Sequence, residues 1–131
     1  MRPLKPLALA LFMTALSAVA GSAEPSLVIV EQHGCVYCER WNAEIAPAYP
    51  KTAEGKFAPL VRADLREGPP DGVTYTRRVV FTPTFVLIEN GQEQARIEGY
   101  PGEDFFWPLL TQMLTENTEF APGAASDAIR K

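Results

Sequence analysis

The sequence predicts an α/β fold, a central sheet flanked by helices, and three features carry that expectation. The apolar run Leu27-Val28-Ile29-Val30 feeds through Gln32-His33-Gly34 into Cys35-Val36-Tyr37-Cys38 and a helical pattern. Thr84 to Glu89 and Gln94 to Glu98 flank Asn90-Gly91, a strong signal for a tight turn between antiparallel strands. Glu103 to Glu116 places Phe106, Leu109, Leu110, Met113 and Leu114 on one helical face, with Glu103 and Asp104 at its positive N-terminal end.

Each element has a local reason. Leu27 to Glu31 is short and apolar, as a buried strand requires. In the helix that follows, from Cys38 to Ala46, the residues Cys38, Trp41, Ile45 and Tyr49 recur at about 3.5-residue spacing and form a core stripe. Glu39, Arg40 and Glu44 fall on the wet face, and Pro47 and Pro50 kink or restart the helix. Ala58 to Leu65 reads as a second strand, weakened at its start by Pro59. Arg66 to Gly72 is a loop by its glycine and proline content, and Val73 to Arg78 is a short helix or an irregular connection. Pro108 lacks the N–H that the last helix would use. Thr118 to Lys131 is small, polar and aperiodic, so a disordered tail is expected over 118–131.

Residues 1–23 have the layout of a secretory signal peptide. Arg2 and Lys5 precede an apolar run from Leu7 to Leu16, and Ala18-Val19-Ala20 and Gly21-Ser22-Ala23 both suit a signal peptidase. The run is shorter than the roughly 20 residues a membrane span needs. An exported protein with one domain over 24–117 is therefore expected. Loss of Arg2 and Lys5 takes the formal net charge from −4 to −6, a surface that disfavours nucleic acid, and no nucleic-acid partner is expected. Two cysteines are too few for a disulfide-stapled scaffold.

Those two cysteines carry the chemistry. A strand feeding a helix through C-x-x-C is a redox arrangement. At the helix start, unpaired N–H groups and the positive dipole end favour a Cys35 thiolate, which makes Cys35 the nucleophile. Cys38, one turn on, is placed to resolve a mixed disulfide formed on Cys35. Competing uses of the motif fit less well. A closed zinc site wants four N or S ligands, and the chain offers Cys35, Cys38 and His33; no metal is expected. Covalent haem attachment needs histidine after Cys38, where Glu39 stands. A permanent structural disulfide is the stronger rival, although so small a loop constrains the unfolded chain little. His33 either lowers the Cys35 pKa when protonated or is simply solvated. Tyr37 either lines a substrate groove or is an exposed aromatic.

The order strand, helix, strand, hairpin, helix, together with Cys35-Val36-Tyr37-Cys38, Thr82-Pro83 before a strand, Asn90-Gly91 and Gly99, resembles the thioredoxin family over about Leu27 to Glu116. The resemblance implies a thioredoxin fold with a central mixed β-sheet, a cis Pro83 beside the cysteine pair, and a Thr82 backbone that pairs with client polypeptide. Glu31 to Trp41 and Glu98 to Trp107 are similar to the small periplasmic thioredoxins of bacterial sulfur-oxidation (Sox) systems. That similarity implies a reductase of disulfide adducts on Sox proteins, the sulfur carrier among them, supplied with electrons by a membrane thiol donor and needing no bound cofactor.

The chain departs from ordinary thioredoxin in three places. Gly34 stands where tryptophan usually precedes the first cysteine, Val36-Tyr37 replaces Gly-Pro, and Ile29 occupies the place of a buried aspartate that assists proton transfer. Glu31 shares the strand parity of Ile29 and is the candidate replacement. The expected function is a periplasmic disulfide reductase. Its alternatives are a non-catalytic binding or regulatory module, and a thiol oxidase or isomerase.

Overall fold

In the computed structural model, which describes residues 24–123, the apolar run becomes strand β1 (Ser26–Glu31). The expected targeting segment and residues 124–131 of the expected tail lie outside the described residues. The remaining elements are α1 (Val36–Glu44), a 3-10 turn (Tyr49–Lys51), α2 (Ala53–Phe57), β2 (Leu60–Asp64), β3 (Thr84–Glu89), β4 (Gln92–Glu98) and α3 (Glu103–Asn117). The strands lie in the order β2-β1-β3-β4. β1 runs parallel to β2, with Leu27 opposite Leu60, and antiparallel to β3, with Val30 opposite Thr84. The sheet is therefore mixed.

An inner strand of such a sheet is covered on both faces, which is why four consecutive residues of β1, Leu27 to Val30, are all buried. Alternation sends Leu27, Ile29, Phe85 and Leu87 into the larger core, where they meet Trp41, Ile45 and Tyr49, then Phe106, Leu110 and Leu114. Aromatic rings tie the layers together: Phe85 and Phe106 have centroids 4.9 Å apart, and Trp41 and Phe85 5.3 Å. Val28, Val30, Val86 and Ile88 face the other way and pack with Val79, Val73 and Tyr75 of the β2–β3 connection.

Several expectations are refined. α1 begins two residues earlier than its stripe suggested and ends at Glu44, ahead of Pro47 and Pro50. The short α2 was not anticipated. Thr52 caps it by accepting a hydrogen bond from the Gly55 N–H at 3.0 Å, and a Cβ at Gly55 would run into the Tyr49 carbonyl. Residues 73–78 are irregular, with one isolated backbone bridge to the sheet, between Thr74 and Gln92. On α3, Phe106, Leu110, Met113 and Leu114 are buried as the pattern required, whereas Leu109 is 41% exposed at the margin of that face. Pro108 is accommodated with its side chain exposed. The packed domain also extends past Asn117, because Phe120 is buried with its ring 5.1 Å from that of Phe57.

The hairpin contains one irregularity. Leu87 lies opposite Ala95 but Ile88 lies opposite Glu93, so Gln94 is an extra residue in β4. In a regular strand residues 93 and 96 would point to opposite faces. Here both point to the face of Val86 and Ile88, where they form an ion pair whose side chains are 3% and 5% exposed.

Candidate redox-active site

The site forms where β1 ends. The chain leaves Glu31, turns through Gln32 to Gly34 and enters α1; Gly34 has φ +76°, a conformation that glycine adopts without strain. Cys35 is the N-cap of α1, extended at φ −84° and ψ 103°. Its sulfur accepts a hydrogen bond from the Cys38 N–H at 3.1 Å, the position in which serine or aspartate caps many helices. A thiolate formed there is stabilised by the same N–H and by the positive end of the helix. Cys35 and Cys38 are joined in a disulfide, with Cα atoms 5.2 Å apart.

The two sulfurs have different surroundings. Cys38 is 3% exposed within the stripe that continues to Trp41 and Ile45, whereas Cys35 is partly exposed at the rim. In the reduced protein, iodoacetamide should therefore alkylate Cys35 first near neutral pH. Peptide mapping that found Cys38 labelled faster would overturn the division of roles.

Thr82-Pro83 is a cis peptide bond, and Pro83 is buried. Gln32 Nε2 donates to Thr82 Oγ1 at 2.8 Å, which ties this loop to the turn that delivers Cys35. Thr84 Oγ1 donates to the Phe81 carbonyl, and the Gly99 N–H donates to the Pro83 carbonyl at 2.8 Å. Among the described residues neither backbone group of Thr82 has a hydrogen-bond partner, so both are free to pair with an incoming chain. Val36 and Tyr37, between the two cysteines, and Val80 and Phe81, just before Thr82, are each more than half exposed.

The other two candidates are placed less centrally. His33 is exposed and makes no hydrogen bond or ion pair to the described residues. Glu31 is engaged at both carboxylate oxygens: Asn42 Nδ2 of α1 donates to one, and Arg62 of β2 donates to the other at 2.8 Å. It holds α1 and β2 to the end of β1. Among the described residues no group of three or more His, Cys, Asp or Glu is arranged to hold a metal, and no helix is long and apolar enough to cross a membrane.

Three contributors were not identified from sequence. Gln32 ties the Thr82 loop to the turn before Cys35, and Asn42 ties α1 to Glu31 at the end of β1. Tyr100 is the third. Its hydroxyl donates to Glu44, and the Arg40 guanidinium lies 5.8 Å from the centre of its ring. The Tyr100 bond, assisted by Arg40, holds the Glu44 carboxyl below the ordinary carboxylate value, and burial together with that bond pushes the Tyr100 phenol up. The contact fastens the chain entering α3 to the last turn of α1.

The thioredoxin-like domain family matches residues 12–114 of the sequence. The chain belongs to this thioredoxin-like family. The periplasmic thioredoxin SoxS from Paracoccus pantotrophus, solved in its reduced form, is 53% identical and superposes with a TM-score of 0.69, over 71% of this chain and 98% of that one. A thioredoxin-fold protein from Helicobacter pylori, 15% identical, has a TM-score of 0.50 over 72% of this chain and 69% of its own, a likeness of fold alone. No curated protein matches the chain. With its C-x-x-C pair at the helix start, this thioredoxin-like protein is a thiol-disulfide oxidoreductase.

Proposed function

We propose that this protein is a periplasmic reductase of protein disulfides, with Sox proteins, and the sulfur carrier in particular, as its clients. The single observation that carries the chemistry is the Cys35 sulfur capping α1 beside an unpaired Thr82 backbone. In the dithiol form, the Cys35 thiolate attacks one sulfur of a client disulfide, forming a mixed disulfide and releasing the other client sulfur as a thiolate. The Cys38 thiolate then attacks Cys35 Sγ, releasing the second client thiolate and leaving Cys35–Cys38 oxidised. Two electrons have passed from the protein to the client. A membrane thiol donor returns them.

Pro83 and Thr82 hold the client chain beside the thiols, and Tyr37 supplies an exposed apolar contact. His33 and Glu31 act at most as modulators, Glu31 through its hold on Asn42. Export through residues 1–23 fits the periplasmic location named for SoxS. The reducing direction is supported by Val36-Tyr37, which places no histidine beside the thiolate. A less stabilised thiolate makes the disulfide a weaker oxidant.

Cellular thiols trapped with a mass-tagged maleimide test this directly. With a working membrane donor the pair should be a dithiol, and loss of the donor should leave it oxidised. A pair that stays disulfide-bonded with the donor present, in a protein that oxidises reduced clients faster than it reduces their disulfides, would replace this reading with a thiol oxidase.

A further inference from the structure

The connection between β2 and β3 runs over residues 65–83 with no helix or strand of its own. Connections this long without regular structure are uncommon in compact domains and usually functional. This one ends in Val80, Phe81, Thr82 and Pro83. Val80 and Phe81 expose 59% and 58% of their surface, and the cavity of about 580 Å³ under the same connection is lined by Val30, Val73 and Val79 together with Asp64, Arg66 and Arg78. An unrestrained segment would turn these large apolar side chains away from water.

The restraint comes from the hairpin. Arg96 Nε and Nη2 donate to Glu93 Oε1 and Oε2 at 2.6 and 2.7 Å, a bidentate pair. Both partners also reach the connection: Glu93 Oε2 accepts the Thr76 N–H at 2.8 Å, and Arg96 Nη2 donates to the Arg77 carbonyl at 2.8 Å. Thr74 is bound along the outer side of β4 by its N–H to the Gly91 carbonyl and its carbonyl to the Glu93 N–H. Arg77 pairs with Glu98 at 2.6 Å. Backbone 74–77 is thus pinned three residues before Val80.

A buried ion pair is a weak source of stability compared with apolar side chains of the same volume. Its hydrogen bonds to the connection are what an apolar pair could not supply. We propose that Glu93 and Arg96 are positioning residues for client reduction, holding the connection so that Val80, Phe81 and Thr82 stand out beside Cys35 as the client-binding surface. This rests on the reductase reading, in which Thr82 already pairs with the client; what it adds is the hold of Glu93 and Arg96 on the segment that presents it.

The test is the double variant Glu93→Met with Arg96→Met, which fills the site with apolar side chains. Its denaturation midpoint should stay near that of the wild type. The ratio of its rate on insulin disulfides to its rate on 5,5′-dithiobis(2-nitrobenzoate), which needs no docking surface, should fall about tenfold. A folded double variant with an unchanged ratio would overturn the proposal. Val80→Ala with Phe81→Ala alters only exposed side chains and provides an arm that does not depend on the clamp variant folding. It should slow insulin reduction about tenfold, and a wild-type rate would equally overturn the proposal. A wild type that reduces neither disulfide would instead remove the reductase reading and this inference with it.

Discussion

Replacing Cys35 with serine should lower disulfide reduction by a thousandfold or more, to the background set by the external reductant. The helix cap would survive, since a hydroxyl accepts the Cys38 N–H as the sulfur does at 3.1 Å, so the fold should not change. What disappears is the only partly exposed thiol, and a serine hydroxyl does not ionise near neutral pH to replace it. Cys38→Ser separates the steps. Cys35 can still attack, but nothing resolves the adduct, so mixed disulfides with clients should accumulate and be visible on non-reducing gels. A non-catalytic binding module would give no covalent adduct, and absence of trapping in a folded, reduced Cys38→Ser variant would favour that reading.

Phe106→Ala should cost about 3–5 kcal/mol of stability, a large share of the roughly 5–15 kcal/mol that holds a domain of this size together. Phe106 is fully buried, and its ring lies within about 6 Å of Trp41, Phe85, Tyr100 and Trp107, so the cavity opens where α3, α1 and the sheet meet. Those neighbours are large rings fixed by one another and collapse poorly into the space. Its neighbour in sequence, Phe105, is 65% exposed, and Phe105→Ala should change stability by no more than about 0.5 kcal/mol. Urea denaturation of the two variants measures the contrast. A Phe106→Ala loss under about 1 kcal/mol would mean that α3 is not anchored through this ring.

The parts of the fold legible in the sequence are those with a period. β1, the stripe of α1, the Asn90-Gly91 turn and the buried face of α3 follow from spacing, because burial is dictated there by a repeating side-chain direction. The cysteine pair was legible for a different reason: its chemistry needs one local junction of strand and helix. What escaped depends on contacts distant in sequence. α2 is five residues long, too short for a pattern, and is held to α3 by the hydrogen bond that Thr111 donates to Glu54. Phe120 looked like part of an aperiodic tail because its partner, Phe57, lies on α2. Glu31 was placed by strand parity, but its partners Asn42 and Arg62 come from two other elements. The pairing of Glu93 with Arg96 contradicts simple alternation, and the extra residue between them that permits it leaves no mark in composition.

That extra residue also changes the outer margin of the sheet. β4 is the last strand in order, and a straight terminal strand offers a row of unpaired N–H and C=O groups on which another chain can build. Here Thr74 closes the row at the Gly91 carbonyl and the Glu93 N–H, and Gln94 breaks its spacing further along. A second copy of the protein meets no continuous template at that rim. At Thr82, by contrast, both backbone groups are unpaired among the described residues, so the border formed by β4 is interrupted while the turn tied to Gln32 keeps hydrogen-bonding groups exposed.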